Sequence, residues 1–348
     1  MRVLILRERL PAGARADEAD AKVQAEAVRG ALERLGHLVE ELETDLDLAT
    51  TARSLRERAP DAVFNLVEAL ERTGRLIHLA PAVIEALGVP LCGSSALALE
   101  LTSCKPLTKR RLEEAGVPTP DWRTLPQLRA GVSVPAGRWV LKSSWEHGSL
   151  GLEEDGVVEC ADAGRLAASL ERALPRLGGE GFAERWVEGR ELNISLLAGP
   201  DGPEVLPHAE IAFTGDWGDR PRLVGWRAKW DPTSFEWSHT PRRFHFPASD
   251  APLLAELSAL SRRCWELLGV GGWARVDFRV DSTGQPFVLE VNANPCLSPD
   301  AGFAAAVERA GLSFDRAIER IVAAGLAASP RPSPPPSGSP PEPAARTR

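Results

Sequence analysis

Two acids and an amide near the C-terminus have the spacing of a cation site. Apolar and polar residues alternate on both sides of a turn at residues 281–284, and this pattern predicts a β-hairpin. If the arms pair symmetrically about the turn, Asp277 faces Glu290. In the same register Arg275 faces Asn292. Facing side chains of an antiparallel pair have Cβ atoms roughly 4.5–5.5 Å apart, so the two carboxylates would lie close together.

Facing carboxylates repel each other unless a cation or a proton lies between them. Asp277, Glu290 and Asn292 offer only oxygen ligands, which suit Mg²⁺ or Mn²⁺ and not zinc. A half-exposed hairpin whose polar face meets water explains the same pattern about equally well.

A second group of residues could bind phosphate. Lys142 ends an apolar strand and precedes a short loop that contains Gly148, Ser149 and Gly151. Backbone N–H groups of such a loop can converge on an anion while the ammonium adds a point charge, and Lys105 is a further candidate cation. Taken alone, a loop of this composition is more often a simple hairpin turn.

A third segment, residues 184–191, could bind adenosine. Glu184 and the backbone of Trp186 and Val187 could meet the adenine ring, and Glu191 could accept hydrogen bonds from ribose hydroxyls. For this segment alone, an amphipathic hairpin with solvated acids is the more economical interpretation.

Composition excludes several other functions. The net charge is −8 and there is no block of Lys or Arg, which argues against a nucleic-acid surface. No apolar run approaches the ~18 residues of a membrane span. The five cysteines are scattered, which is typical of reduced thiols in a cytoplasmic protein. The chain has no Tyr, so tyrosine cannot serve as acid, base or nucleophile.

Strands and helices alternate at short spacing over the first ~95 residues, which predicts a parallel α/β sheet. Ligands of such sheets lie beyond the carboxyl ends of the strands. Asn65 and Glu68 follow the third predicted strand, where they could contact a substrate or cap a loop.

We expect four parts: an N-terminal α/β domain (1–103), a small subdomain with the phosphate and adenosine candidates (104–190), a C-terminal subdomain with the candidate cation ligands (191–327) and a tail (328–348). The last twenty residues contain eight Pro, which predicts disorder.

Together these segments resemble the ATP-grasp superfamily, and within it the D-alanine–D-alanine ligases. The likeness runs in order over roughly residues 60–325. It rests on residues 63–66, 88–94, Cys104 and Lys105 with Lys109, 116–120, Lys142 with its loop, 184–191, 228–230, and 272–277 through 290–295. The resemblance implies an α/β N-terminal domain followed by two α+β subdomains that sandwich ATP.

By this resemblance, ATP phosphorylates a carboxylate and an amine then attacks the acyl phosphate. Lys105 and Lys142 would contact phosphates and Lys229 the γ-phosphate, while Arg275 would stabilise the acyl phosphate and the oxyanion. The cofactors would be ATP with Mg²⁺ or Mn²⁺ and the substrate a small amino-acid-like molecule. A homodimer stays open.

The sequence departs from the ligases around the amino-acid substrate. The segments after the first and third strands differ, and Asp300 lies where the family binds a substrate carboxylate, which it would repel. A relative with another amino-acid or peptide substrate, and a non-catalytic ATP-binding module, therefore remain alternatives to D-alanine ligation.

Overall fold

The computed structural model describes residues 1–11, 13–146 and 148–328, with three β-sheets. The predicted disordered tail lies outside these residues beyond Ala328. Within the described residues, no helix is long and apolar enough to cross a membrane.

The N-terminal sheet has four parallel strands in the order β2-β1-β3-β4. Apolar runs form its inner strands, and helices connect successive strands as predicted for a parallel α/β unit. The elements are β1 (Arg2–Glu8), α1 (Ala16–Arg34), β2 (Leu38–Thr44), α2 (Leu48–Arg58), β3 (Ala62–Asn65), α3 (Leu79–Ala86) and β4 (Leu91–Cys92).

Two consecutive helices, α4 (Ala96–Ser103) and α5 (Lys105–Glu114), lead into an antiparallel sheet of order β5-β8-β6-β7. Its elements are β5 (Trp122–Thr124), α6 (Leu125–Arg129), β6 (Gly137–Ser143), β7 (Val157–Cys160), α7 (Ala163–Ala173) and β8 (Gly181–Arg185). Asp162 caps α7 by accepting the Arg165 N–H at 2.8 Å. Trp139 and Leu170 are buried in the core between this sheet and its helices.

The third sheet is antiparallel in the order β12-β11-β9-β13-β14, and β10 pairs with β9. The elements are β9 (Gly189–Gly199), β10 (Gly202–Val205), β11 (Ala209–Ile211), α8 (Trp226–Trp230), α9 (Phe235–Ser238), β12 (Arg242–Arg243), α10 (Ala251–Leu268), β13 (Trp273–Asp281) and β14 (Pro286–Asn292). Four turns of 3₁₀-helix lie at Gly74–Leu76, Glu154–Gly156, Leu174–Leu177 and Ala248–Asp250.

The last two helices, α11 (Gly302–Arg309) and α12 (Phe314–Ala328), join the first sheet to the third. Phe64 of β3 stacks on Trp273 of β13 with ring centroids 5.6 Å apart. A Cβ at Gly325 would lie 2.5 Å from Leu91 O, so α12 packs closely against β4. This shared core holds the carboxyl ends of β1 and β3 beside the β13–β14 hairpin. The helix α11 and the short elements within residues 214–247 were not predicted.

Candidate active site

The β13–β14 hairpin has the predicted register. Asp277 pairs with Glu290 and Arg275 with Asn292, and a bulge follows Asp277. Asp277 is only 6 % exposed, because β9 covers the other edge of β13 and places Asn193 beside it. The polar face is therefore covered at Asp277, whereas 31% of the Glu290 side chain remains exposed.

Arg275 and Asp277 form a bidentate ion pair along one side of β13. Arg275 donates from Nε to Oδ1 at 2.7 Å and from a terminal nitrogen to Oδ2 at 2.8 Å. Asn193 Nδ2 also donates to Asp277 Oδ1 at 2.7 Å. Burial alone would lower the pKa of Arg275, but the Asp277 carboxylate outweighs it and raises the pKa. The guanidinium is therefore fixed in place and permanently charged.

Glu290 lies among cations. Its Oε2 is 3.9 Å from Lys105 Nζ. Burial would raise the pKa of Glu290, but Lys105, Lys229 and Arg275 outweigh it and hold the pKa well below its ordinary value. Burial lowers the pKa of Lys229, and the neighbouring Arg275 charge adds to this effect. These positive charges would be offset by a polyanion such as the phosphates of a nucleotide.

Glu184 forms a buried ion triad with two lysines. Lys142 donates to Oε1 at 2.5 Å, and Oε2 forms an ion pair with Lys109. Burial would raise the pKa of Glu184, but the two ammonium groups hold it below its ordinary value. Lys109 also donates to Thr119 Oγ1 at 2.8 Å. Lys109 was named among the residues of the resemblance but no role was predicted for it, although it lies one helical turn after Lys105 on the same face of α5.

The segment that was predicted to bind adenosine joins two different sheets, so it is not a hairpin. Glu191 pairs with Arg279 at 3.0 Å and is buried, and burial raises its pKa against the effect of that arginine. The Arg279 guanidinium lies 5.1 Å from the Trp186 ring. Glu184 and Glu191, the two acids predicted to contact adenosine, are buried, whereas the third acid of the segment, Glu188, is exposed. Arg279 was missed, although it continues the alternating series of Arg275 and Asp277.

The predicted phosphate loop connects the antiparallel strands β6 and β7 and contacts the segment around α8. Ser149, with a positive φ of 62°, donates from Oγ to Val224 O at 3.0 Å. Trp230 Nε1 donates to Gly148 O at 3.2 Å. A Cβ at Gly151 would lie 2.3 Å from Arg176 O, so this position requires glycine. The two segments therefore form one continuous wall.

A cleft lies between the second and third sheets. It is lined by most residues predicted for the nucleotide and the cation: Lys105, Lys142, Ser149, Glu184, Trp186, Val187, Glu191, Lys229, Asp277 and Glu290. The other predicted residues of this group, Gly148, Gly151, Arg275 and Asn292, lie in the same loop or hairpin beside that lining.

The residues predicted for the amino-acid substrate do not come together. Asn65 is buried and its Oδ1 accepts the Val67 N–H at 3.4 Å, which is the loop-cap arrangement. Glu68 accepts a hydrogen bond from Gln24 at 2.7 Å and lines a separate crevice. Asp300 is exposed, and its carbonyl accepts a hydrogen bond from Arg242 at 2.5 Å.

The chain is similar to known ligases over most of its length. Residues 140–323 match the family model of the D-ala D-ala ligase C-terminus. The D-alanine–D-alanine ligase of Methylococcus capsulatus is 31% identical over 328 residues, which cover 91% of this chain and 95% of that protein. The D-alanine–D-alanine ligase of Synechococcus sp. is 31% identical over 90% of both chains. The uncharacterized protein y4sG of Sinorhizobium fredii is 31% identical over 86% of both chains.

The solved structures show the fold class. The D-alanine–D-alanine ligase of Bacillus anthracis superposes with a TM-score of 0.68 at 20% identity, covering 94% of this chain and 98% of its own. Its complex with ATP gives a TM-score of 0.67 over the same shares. The fold is therefore that of the ATP-grasp enzymes. Within that class, the chain belongs to the D-alanine–D-alanine ligase family.

Proposed function

We propose that the chain is an ATP-dependent, ADP-forming ligase that joins the carboxylate of one small amino acid to the amine of another. D-alanine–D-alanine ligation is the nearest named activity. The observation that supports this most directly is the single cleft lined by Lys105, Lys142 and Lys229 together with the facing carboxylates of Asp277 and Glu290.

The nucleotide would lie along this cleft. The three lysines would bind its phosphates, and the backbone N–H groups of residues 148–151 would add donors. Trp186 and Val187 would contact the adenine, and Glu191 the ribose hydroxyls. Glu184 would bind the adenine amine only by sharing a carboxylate that already pairs with Lys109 and Lys142.

The donors on the hairpin fit Mg²⁺ or Mn²⁺. Asp277 and Glu290 face each other, and the surrounding cations keep Glu290 ionised. The third protein ligand would be the amide oxygen of Asn292, which accepts the Asn294 N–H at 3.0 Å in this structure. When bound, such an ion offsets the negative charge of the phosphates. It would compete with Arg275 for the Asp277 carboxylate.

Arg275 would act on the reacting carboxyl group. Its bidentate pair with Asp277 holds the guanidinium at the hairpin edge, where it could stabilise negative charge on the acyl phosphate and then on the tetrahedral oxyanion. Lys229 would bind the transferring phosphoryl group. The wall formed by residues 148–152 and 224–230 would exclude water, which otherwise hydrolyses an acyl phosphate.

The test is ADP release by the full chain with Mg²⁺ and ATP across a panel of D- and L-amino acids and dipeptides. Release that depends on an amino acid, with an amide product detected by mass spectrometry, is expected. ATP binding without release on any substrate would instead identify a non-catalytic ATP-binding module. We also propose a cytoplasmic location, because the described cysteines are all free thiols and the substrate ATP is intracellular. A homodimer stays a prediction.

A further inference from the structure

Arg279 is a buried arginine of the nucleotide cleft to which the proposed chemistry assigns no role. It lies on β13 two residues after Asp277, lines the cleft and is only 3% exposed. The register of the sheet places it directly opposite Glu191 on β9. A guanidinium is always charged and is rarely buried without partners, so its neighbours show what it holds in place.

The Arg279 guanidinium joins three segments around the end of the cleft proposed for the nucleoside. One terminal nitrogen donates to Gly189 O, at the start of β9, at 3.0 Å. The other donates to Arg222 O, in the chain that leads to α8, and pairs with Glu191 Oε2 at 3.0 Å. A lysine carries a single nitrogen and could not bind all three oxygens with this geometry.

The same guanidinium lies against two aromatic rings. It is 5.1 Å from the centroid of the Trp186 ring and 5.4 Å from that of the Phe213 ring. Both distances are within the roughly 6 Å range of cation–π attraction. Arg138 also lies 4.7 Å from the Trp186 ring, so two guanidinium groups hold the indole that lines the cleft.

The ion pair with Arg279 leaves the second carboxylate oxygen of Glu191 available. Arg279 binds Oε2, and Oε1 forms no hydrogen bond or ion pair within the part of the chain that the structure describes. Because Glu191 lines the cleft, a donor on a bound nucleotide can reach Oε1. A hydrogen bond to a charged acceptor is worth more than one between neutral groups, so this oxygen can discriminate between sugars.

We propose that Arg279 is a positioning residue for the nucleoside. It holds the Glu191 carboxylate so that Oε1 accepts a hydrogen bond from a ribose hydroxyl, and it holds the Trp186 ring against the adenine. This assignment rests on the proposed function, because it requires a nucleotide in the cleft. Its consequence is specificity: a ribonucleotide binds more tightly than a deoxy analogue, and the preference depends on Arg279 as well as on Glu191.

Equilibrium binding tests this role independently of turnover. Isothermal titration of the full chain with Mg²⁺ would compare ADP with 2′-deoxy-ADP and with 3′-deoxy-ADP. We expect at least one deoxy analogue to bind the wild type tenfold or more weakly, since it lacks a donor to a charged oxygen. Arg279→Met should reduce this preference to threefold or less. Arg138→Met is the matched control that keeps the preference, because Arg138 also lies on Trp186 but forms no pair with Glu191.

A double-mutant cycle separates positioning from support of the fold. Glu191→Gln should lose the preference by itself, and Arg279→Met added to it should then change the preference by less than twofold. A further fall in the double variant would show that Arg279 acts without Glu191 and would overturn the proposal. If circular dichroism shows that Arg279→Met is unfolded, Arg279→Lys takes its place. Lysine keeps the charge but loses the contacts with Gly189 and Arg222, so the preference should still fall at least threefold.

The outcomes separate this role from the ligase function. Equal binding of ADP and both deoxy analogues by the wild type, or an unchanged preference in the folded Arg279 variant, overturns the positioning role. A preference that depends on Arg279, in a chain that releases no ADP from ATP with any amino acid, supports the positioning role and overturns the ligase. ADP release that depends on an amino acid, without any preference for ADP over the deoxy analogues, does the reverse. A chain that binds none of the three nucleotides overturns both.

Discussion

The Lys109 ammonium and the Glu184 carboxylate form an ion pair in the interior, where their side chains are 1% and 2% exposed. Lys142 approaches the same carboxylate from β6 at 2.5 Å, so one acid pairs with two lysines beside the nucleotide cleft. This triad ties α5 to the second sheet and sets the position of a predicted phosphate-binding lysine.

Removal of Lys109 should destabilise the fold. Lys109→Met leaves Glu184 with one cation and Thr119 without its donor, and breaking a buried pair costs about 3–5 kcal/mol. Urea unfolding measures the change. Arg111→Met on the same helix is the control, because its pair with Glu114 is exposed and should contribute less than about 1 kcal/mol. An equal loss of unfolding free energy in the two variants would contradict a stabilising role of the triad.

Replacement of Arg275 by lysine should slow catalysis more than it weakens nucleotide binding. Lysine keeps the charge but loses the bidentate contact with Asp277 that positions it. We expect kcat to fall by about 10²–10³, the usual effect of losing an oxyanion donor, with little change in the KM for ATP. Arg243→Lys, on the exposed edge strand β12, should behave like the wild type. A normal kcat for Arg275→Lys would remove the proposed role.

Glu290→Gln should abolish turnover while it leaves the fold intact. The amide keeps the shape of the side chain but removes the charge that pairs with Asp277 as a metal ligand. Loss of several kcal/mol of charge stabilisation corresponds to at least about a 100-fold lower kcat. Circular dichroism would confirm the fold, and Mn²⁺ titration would measure cation binding. Wild-type activity in this variant would refute the metal assignment.

The wall between the phosphate loop and α8 should limit wasteful ATP hydrolysis. Trp230→Phe removes the hydrogen bond to Gly148 O but keeps most of the ring. We expect ADP release without any amino acid to rise severalfold relative to the coupled reaction, because water gains access to the cleft. The comparison variant is Trp237→Phe, since Trp237 is 42% exposed in the same region. Unchanged coupling in Trp230→Phe would show that this contact does not seal the site.

Stability should depend on pH through Glu8. Burial raises its pKa to about 7 from an ordinary value of 4.5. Between these values the folded chain holds a proton that the unfolded chain has lost, so the free energy of unfolding falls as the pH rises through this window. Glu8→Gln should remove most of this pH dependence. Above pH 7 its free energy of unfolding should exceed that of the wild type by at most about 3 kcal/mol. Parallel pH curves for the two proteins, measured by urea unfolding, would contradict a buried carboxyl group.

The local sequence pattern was sufficient to predict which polar residues face each other within one hairpin. The register of Asp277 with Glu290 followed from period-2 alternation and the turn that joins the arms, because an antiparallel hairpin allows few registers. The parallel N-terminal sheet followed from the equally local alternation of strands and helices. The domain limits at 103, 190 and 327 stay predictions.

Tertiary structure decided which charges are balanced inside the chain and which are left for a ligand. Spacing along the sequence cannot show that Glu184 forms an ion pair with Lys109 or that Arg279 forms one with Glu191, because each partner comes from another element. It also cannot show that Asp300 is exposed to solvent. It also cannot show that Glu8 and Glu68, distant in sequence, share a crevice. The sequence by itself determined the nucleotide-binding family and the facing acids of the hairpin. The packing of the sheets determined the shape and charge of the substrate side, because desolvation and pairing depend on contacts between distant segments.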